Sequence, residues 1–177
     1  MNICGIDEAG RGTAVGPMVI AGVALTGSVE GLTDSKKLTK QKRNALREKI
    51  IENSKYLILV YSNNDVDEMG ISNIMKDSLT KIKEFFKDYD IVFDGNTTYG
   101  IEGIRTEVKA DLTIQEVSAA SILAKTEKDN ILDELAKQYP NYSFEKHGGY
   151  LTKKHKEEIR EFGLTDLHRK SYKIKGI

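Results

Sequence analysis

The 177-residue chain has one cysteine, no net charge and no long apolar run. A lone Cys4 excludes an internal disulfide and reads as a small residue inside a strand. Lysine plus arginine number 27, as do aspartate plus glutamate. Overall charge therefore signals no polyanionic partner, and a nucleic-acid reading has to rest on local clustering. No stretch approaches the ~20 apolar residues of a membrane span, and "MNICGIDEAG" has neither a basic n-region nor a signal h-region. A cytoplasmic protein with no membrane contact is expected. Repeats, low-complexity tracts and linkers are missing too. The glycosylation tripeptides at Asn96 and Asn141 are chance matches without a secretory route. His147, His155 and His168 lack the spacing of a zinc motif.

What is present is 39% hydrophobic and 31% charged residues, enough for a core inside a heavily charged surface. The length fits one domain of the usual ~100–150 residues or slightly more. One domain over 1–177 is expected, with a short helical C-terminal part from about residue 140. "NICGID" and "PMVIAGVAL" are apolar, β-branched runs on either side of a glycine-rich loop and predict two neighbouring strands. "LTKQKRNALREKIIENS" carries Leu46, Ile50 and Ile51 on one face behind an N-cap at Thr39 and predicts a helix. "YLILVYS" and "DIVFDG" predict buried strands, and "SNIMKDSLTKIKEFF" predicts a helix through Ile74, Leu79, Ile82 and Phe86. "GIRTEVKAD" predicts a further strand ending in an acid. "IQEVSAASILAKTEKDNILDELAKQ" is the longest helical stretch, with Ser118, Ala119, Ala120 and Ser121 small enough for close approach to a sheet. "TKKHKEEIREFG" closes as a polar helix with Gly163 as its terminating residue. Alternating strands and helices predict the α/β class.

Acids that end strands point into the crevice where α/β sheets place their sites. Asp7 closes "CGID" with Glu8 beside it, Asp94 closes "IVFD", and Asp111 follows "TEVKA". Singly, these are ordinary surface acids: a solvated Asp-Glu turn, an Asp-Gly turn, a polar residue before a helix. If the strands are neighbours, four carboxylates converge. Such a cluster repels itself by several kcal/mol and persists by protonation or by binding hard cations. Mg²⁺ suits carboxylate and water oxygens, and two ions ~3.5–4 Å apart serve phosphodiester cleavage by activating water and stabilising the leaving oxygen. Gly5 to Gly12 nearly matches the phosphate-cradling G-x-x-x-x-G-K-[ST] pattern. It departs at Arg11, where lysine should stand, and at Gly12, where a hydroxyl should. Gly10 and Gly12 instead suit close approach of backbone to a ligand.

Taken together, "GIDEAGRG", "VFDG", "KAD" followed by "SAASILAK", and "HGGYLTKKH" resemble the ribonuclease HII (type 2 ribonuclease H) family in order and across nearly the whole chain. The resemblance implies a ribonuclease H-like fold, a central mixed β-sheet flanked by helices. It implies a metal-dependent endoribonuclease that hydrolyses the RNA strand of RNA/DNA hybrids and nicks DNA duplexes 5′ of single embedded ribonucleotides, leaving 3′-hydroxyl and 5′-phosphate ends with Mg²⁺ or Mn²⁺. By the same resemblance Asp7, Glu8, Asp94 and Asp111 are the metal-binding, catalytic acids. Gly10, Arg11 and Gly12 form the loop that senses the ribose 2′-hydroxyl, Tyr150 stacks near the ribonucleotide-to-DNA junction, and Ser35 and Lys36 touch the substrate backbone. Residues alone would make Tyr150 an anchor for the next helix, Ser35 and Lys36 a solvated turn, and Asp129 a surface partner of Lys125. Beyond His147, Lys153, Lys154, Lys156, Arg160, Arg169, Lys170, Lys173 and Lys175 suggest a basic face for a duplex backbone.

Thr13 stands where the family usually has proline, which predicts a looser glycine loop. A monomer is expected, "KIKGI" offers no sliding-clamp motif, the C-terminus lacks a longer substrate-binding extension, and nothing before Met1 suggests the extra domain of ribonuclease HIII. The alternatives are a nonenzymatic hybrid- or duplex-binding protein on the same fold and a nucleotide phosphohydrolase.

Overall fold

The computed structural model describes residues 2–32 and 37–176. Ser35 and Lys36 lie outside them. Its sheet has five strands: β1 (Ile3–Ala9), β2 (Met18–Leu25), β3 (Ser54–Tyr61), β4 (Asp90–Asp94) and β5 (Ile104–Glu107). They lie in the order β3-β2-β1-β4-β5. β2 runs antiparallel to both β1 and β3, whereas β1/β4 and β4/β5 are parallel, so the sheet is mixed. The helices are α1 (Lys40–Glu52), α2 (Asn63–Met69), α3 (Ile71–Phe85), α4 (Gln115–Ala136), α5 (Phe144–His147) and α6 (Lys153–Phe162).

Strand alternation divides the core between the two faces. Cys4 and Ile6 of β1, with Met18 and Ile20 of β2, pack against Ile74, Met75, Leu79 and Ile82 of α3. Val19, Ala21 and Val23 of β2 turn to the other face and meet Leu46 and Ile50 of α1 and Ala119, Ala120 and Leu123 of α4. The small residues of α4 are used as their sequence predicts. At Gly5 the approach is so close that a Cβ would lie 2.2 Å from the Val117 amide nitrogen, so only glycine lets α4 lie directly on β1. Burial pushes the Cys4 thiol up to about 12, which leaves it an inert apolar residue.

Thr39 caps α1 by accepting from the Lys42 amide, and Gly163 ends α6 with φ 83°. Two short helices escape the periodicity argument. α2 is set by a capping box between Ser62 and Asp65 rather than by an apolar stripe, and α5 has a single turn. The strand expected through Asp111 stops at Glu107. Lys109 takes a left-handed φ of 59° and turns the chain into a 3₁₀ turn over Ala110–Leu112. Among the described residues no helix is long and apolar enough to cross a membrane.

Candidate active site

The parallel register of β1 and β4 sets Ile6 opposite Phe93, so Asp7 and Asp94 follow at adjacent strand ends. Both belong to the α4 face: Asp7 shares the side of Gly5, and Asp94 shares that of Val92, which packs on Ala110 and Val117. Asp7 accepts the Glu8 amide at 2.8 Å and a bond from Ser121 of α4. Burial foremost, with Asp94 and Glu8 adding repulsion, pushes its carboxyl up to about 8. Asp94 accepts the Lys109 amide at 3.0 Å and the Asp111 amide at 3.4 Å. These two bonds hold the turn that delivers Asp111, itself buried. Burial and the Asp111 carboxyl also raise Asp94. The structure thus brings Asp7 and Asp111 each beside Asp94, with Asp111 arriving from a turn and not from a strand end.

Glu8 is placed differently. Its successive position on β1 turns it to the opposite face from Asp7, into a cleft of about 220 Å³ that Asp94 lines as well, together with Arg11, Phe93, Tyr99 and Val108. There Arg11 holds it through Nε at 2.6 Å and Nη2 at 3.2 Å. Asp94 thus lies between the acids, beside Asp7 and Asp111 and at the edge of the cleft that holds Glu8, whose carboxylate is tied to arginine. Among the described residues no three Asp, Glu, His or Cys side chains stand close enough to cage an ion as they are. The donor set nevertheless fits a hard divalent cation. It is all carboxylate, and burial first, with repulsion among the acids second, raises the proton affinity of Asp7 and Asp94, both of which a nearby cation would offset.

The glycine loop is pinned from three sides. Gly10 adopts φ 85°, and a Cβ there would lie 2.5 Å from the Pro17 carbonyl oxygen. Thr13, buried, donates to the Gly10 carbonyl at 3.1 Å, so the residue expected to loosen the loop closes it. The C-terminal segment supplies the third clamp. Arg169 donates to the Gly16 carbonyl and, at 3.2 Å, to the Arg11 carbonyl, which also accepts from Tyr172 at 2.5 Å. Arg169 is 1% exposed, so it belongs to the loop's support and not to a basic face, as the sequence reading had it. Tyr99 is a further residue the sequence did not single out. Its φ of 53° is a left-handed conformation uncommon for a bulky residue, and its hydroxyl accepts from Arg11 Nη2 at 2.6 Å.

Tyr150 is 47% exposed, and its ring lies 3.9 Å from where a Cβ on Gly12 would be. The two sites the sequence assigned to substrate thus adjoin. Beneath Tyr150 lie the three histidines that lack metal spacing in sequence. His147 and His155 stack with centroids 4.1 Å apart. His147 Nδ1 accepts the Gly149 amide at 3.2 Å, so its Nε2 carries the proton and donates to Glu158 at 3.1 Å. His155 Nδ1 donates to the Tyr150 carbonyl at 2.8 Å, leaving Nε2 to accept from His168 Nε2 at 3.0 Å. His168 Nδ1 accepts the Thr165 amide at 2.9 Å. Every ring nitrogen has a partner, His168 Nδ1 having the Thr165 hydroxyl at 2.9 Å as well as the amide, and the pattern suits three neutral rings. Burial lowers all three, His168 to about 4. Asp129 pairs with Lys128 at 3.1 Å and Lys125 at 3.6 Å, as a structural contact would.

The family model for ribonuclease HII matches residues 4–175. A Ribonuclease HII of Campylobacter jejuni subsp. doylei is 51% identical over 175 residues, covering 98% of this chain and 92% of the relative. One of Aliarcobacter butzleri is 48% identical over 178 residues, covering 99% and 93%. The RNase HII of Archaeoglobus fulgidus, solved as a complex with PCNA, superposes with a TM-score of 0.83 at 27% identity over 99% of this chain and 96% of that one.

Proposed function

The chain belongs to the ribonuclease HII family, endoribonucleases acting on RNA/DNA hybrids, and we propose that Asp7, Glu8, Asp94 and Asp111 do its chemistry with Mg²⁺ or Mn²⁺. The observation that carries this reading is the parallel β1/β4 register, which sets two carboxylates side by side under the turn bearing a third. Bound divalent cations would activate water and stabilise the leaving oxygen. The protein's own part is to hold the scissile phosphate and the acids in fixed relation. Asp94, oriented by two backbone amides, and Asp7, oriented by the Glu8 amide and Ser121, cannot swing freely. Water oxygen forms the new bond to phosphorus, the bond to the 3′-oxygen breaks, and that oxygen takes a proton. The products carry 3′-hydroxyl and 5′-phosphate.

Selection of a ribonucleotide falls to Gly10, Arg11 and Gly12. The 2′-hydroxyl is both donor and acceptor and is what distinguishes RNA from DNA at one position. A loop clamped by Thr13, Arg169 and Tyr172 presents its backbone without adjusting to a deoxyribose. Tyr150, beside Gly12, would pack on the following sugar, which makes a DNA duplex with a single ribonucleotide a substrate beside long hybrids. Ser35 and Lys36 would add a backbone contact.

The test is strand cleavage of a duplex with one ribonucleotide, an all-DNA duplex and a long hybrid, each with Mg²⁺, Mn²⁺ or chelator. A metal-dependent nick 5′ of the ribonucleotide, with the all-DNA duplex intact, is expected. Cleavage of the long hybrid alone would remove the junction role from Tyr150, and binding without turnover would favour a nonenzymatic hybrid-binding protein.

A further inference from the structure

The segment 166–172 belongs to no helix or strand, yet it is held from two sides. On one side the glycine loop grips it: the Gly16 amide donates to the Leu167 carbonyl at 3.0 Å, and the Arg169 amide donates to the Ala14 carbonyl at 2.8 Å. On the other side stands α2, the short polar helix with no apolar stripe. Asn63 Nδ2 donates to the Asp166 carbonyl at 2.8 Å. Asp67 accepts the Lys170 and Ser171 amides, each at 2.9 Å, and the Ser171 hydroxyl at 2.5 Å. Three bonds to one carboxylate are charge-assisted and fix both residues of the tail that they touch.

The residues on either side of that grip are Arg169 and Tyr172, and both side chains donate to one acceptor, the Arg11 carbonyl. Arg169 Nη1 donates to the Tyr172 hydroxyl as well, at 3.0 Å, so the two act as a unit. The Arg11 carbonyl shares a planar peptide with the Gly12 amide, and in a trans peptide the C=O and the N–H point opposite ways. Two donors drawing the oxygen toward buried Arg169 therefore turn the N–H outward. Gly12 is exposed, its amide meets no acceptor among the described residues, and the Tyr150 ring stands beside it.

We propose that Asp67 is a positioning residue for ribonucleotide selection: it pins the tail so that Arg169 and Tyr172 hold the Arg11 carbonyl and keep the Gly12 N–H aimed at the ribose 2′-oxygen. The proposal rests on the reading of Gly10–Gly12 given above and deepens it. Asp67 touches no substrate; it acts through the tail on a single peptide plane. Without its grip, that peptide is free to turn, and the donor that a deoxyribose cannot use is no longer presented.

The experiment is equilibrium binding, with chelator present, of a DNA duplex containing one ribonucleotide and of the same duplex in all-DNA form. Wild type is compared with Asp67→Ala and with Tyr172→Phe, each checked for folding by circular dichroism. Wild type should prefer the ribonucleotide duplex by about tenfold, the upper worth of one well-aligned hydrogen bond. Each variant should narrow that preference by about threefold or more while binding the all-DNA duplex as wild type does. A preference kept in full by both variants would overturn the proposal, and so would equal weakening toward both duplexes, which is what mere support of the fold would give. Wild type binding the two duplexes alike would instead overturn the reading of the glycine loop, and the role of Asp67 with it.

Discussion

The histidine stack makes a prediction whose size follows from its bonding. His168 donates through Nε2 and accepts through Nδ1, so a second proton would set an N–H against the Thr165 N–H, relieved only in part by the Thr165 hydroxyl 2.9 Å from the same nitrogen, and burial disfavours the charge. Its folded value of about 4, against 6.5 when free, means that the unfolded chain takes up the proton first. Stability from this group is thus complete above pH 6.5 and is lost as pH falls toward 4. The whole gap corresponds to about 3 kcal/mol, and the portion above pH 5 to about 2 kcal/mol. Asp7 works the other way. Its folded value of about 8 exceeds the free 3.8, so acidification relieves a buried charge and stabilises the metal-free protein. The assay must therefore be a difference: urea unfolding at pH 7.5 and pH 5 for wild type and for His168→Gln, which keeps a donor toward His155 without a titrating ring. The variant costs stability at both pH values, but wild type should lose about 2 kcal/mol more than the variant between them. Equal losses would refute the assignment of a proton-intolerant stack.

Two further outcomes follow from contacts nearer the acids. Gly5→Ala drives a Cβ into the Val117 backbone at 2.2 Å, where no flexible side chain can yield; it should destabilise by at least ~3 kcal/mol in urea unfolding, and a cost under ~1 kcal/mol would show that α4 does not rest on β1 as described. Tyr99→Phe removes the 2.6 Å bond to Arg11, in an exposed setting a contribution of ~1 kcal/mol or less. Glu8 should then leave Arg11 more readily, and Mg²⁺ titrated calorimetrically should bind up to about fivefold more tightly; unchanged affinity would separate Tyr99 from Glu8.

The sequence carried the sheet and the acids for a definite reason. Apolar runs of strand length that end in Asp7 and Asp94 report both an element and its direction, and the parallel register did the rest. What it could not carry was the face on which each side chain emerges. Adjacent Asp7 and Glu8 read as a pair, yet strand alternation parts them and Arg11 takes the second. Asp111 reads as a strand end because nothing in "EVKAD" announces a left-handed Lys109. His147, His155 and His168 have no common period, and only the packing of α5 and α6 stacks them. Arg169 reads as one of many basic tail residues, and its role appears only when the tail folds back onto the glycine loop.

The central claim is that carboxylates at the adjacent ends of β1 and β4 perform the hydrolysis, and Asp94→Asn tests it most directly by removing one charge with little change in volume. Cleavage of a duplex with a single ribonucleotide in Mg²⁺ should fall by at least ~10³-fold, with circular dichroism and duplex binding in chelator unchanged. Turnover within a few-fold of wild type would contradict the account.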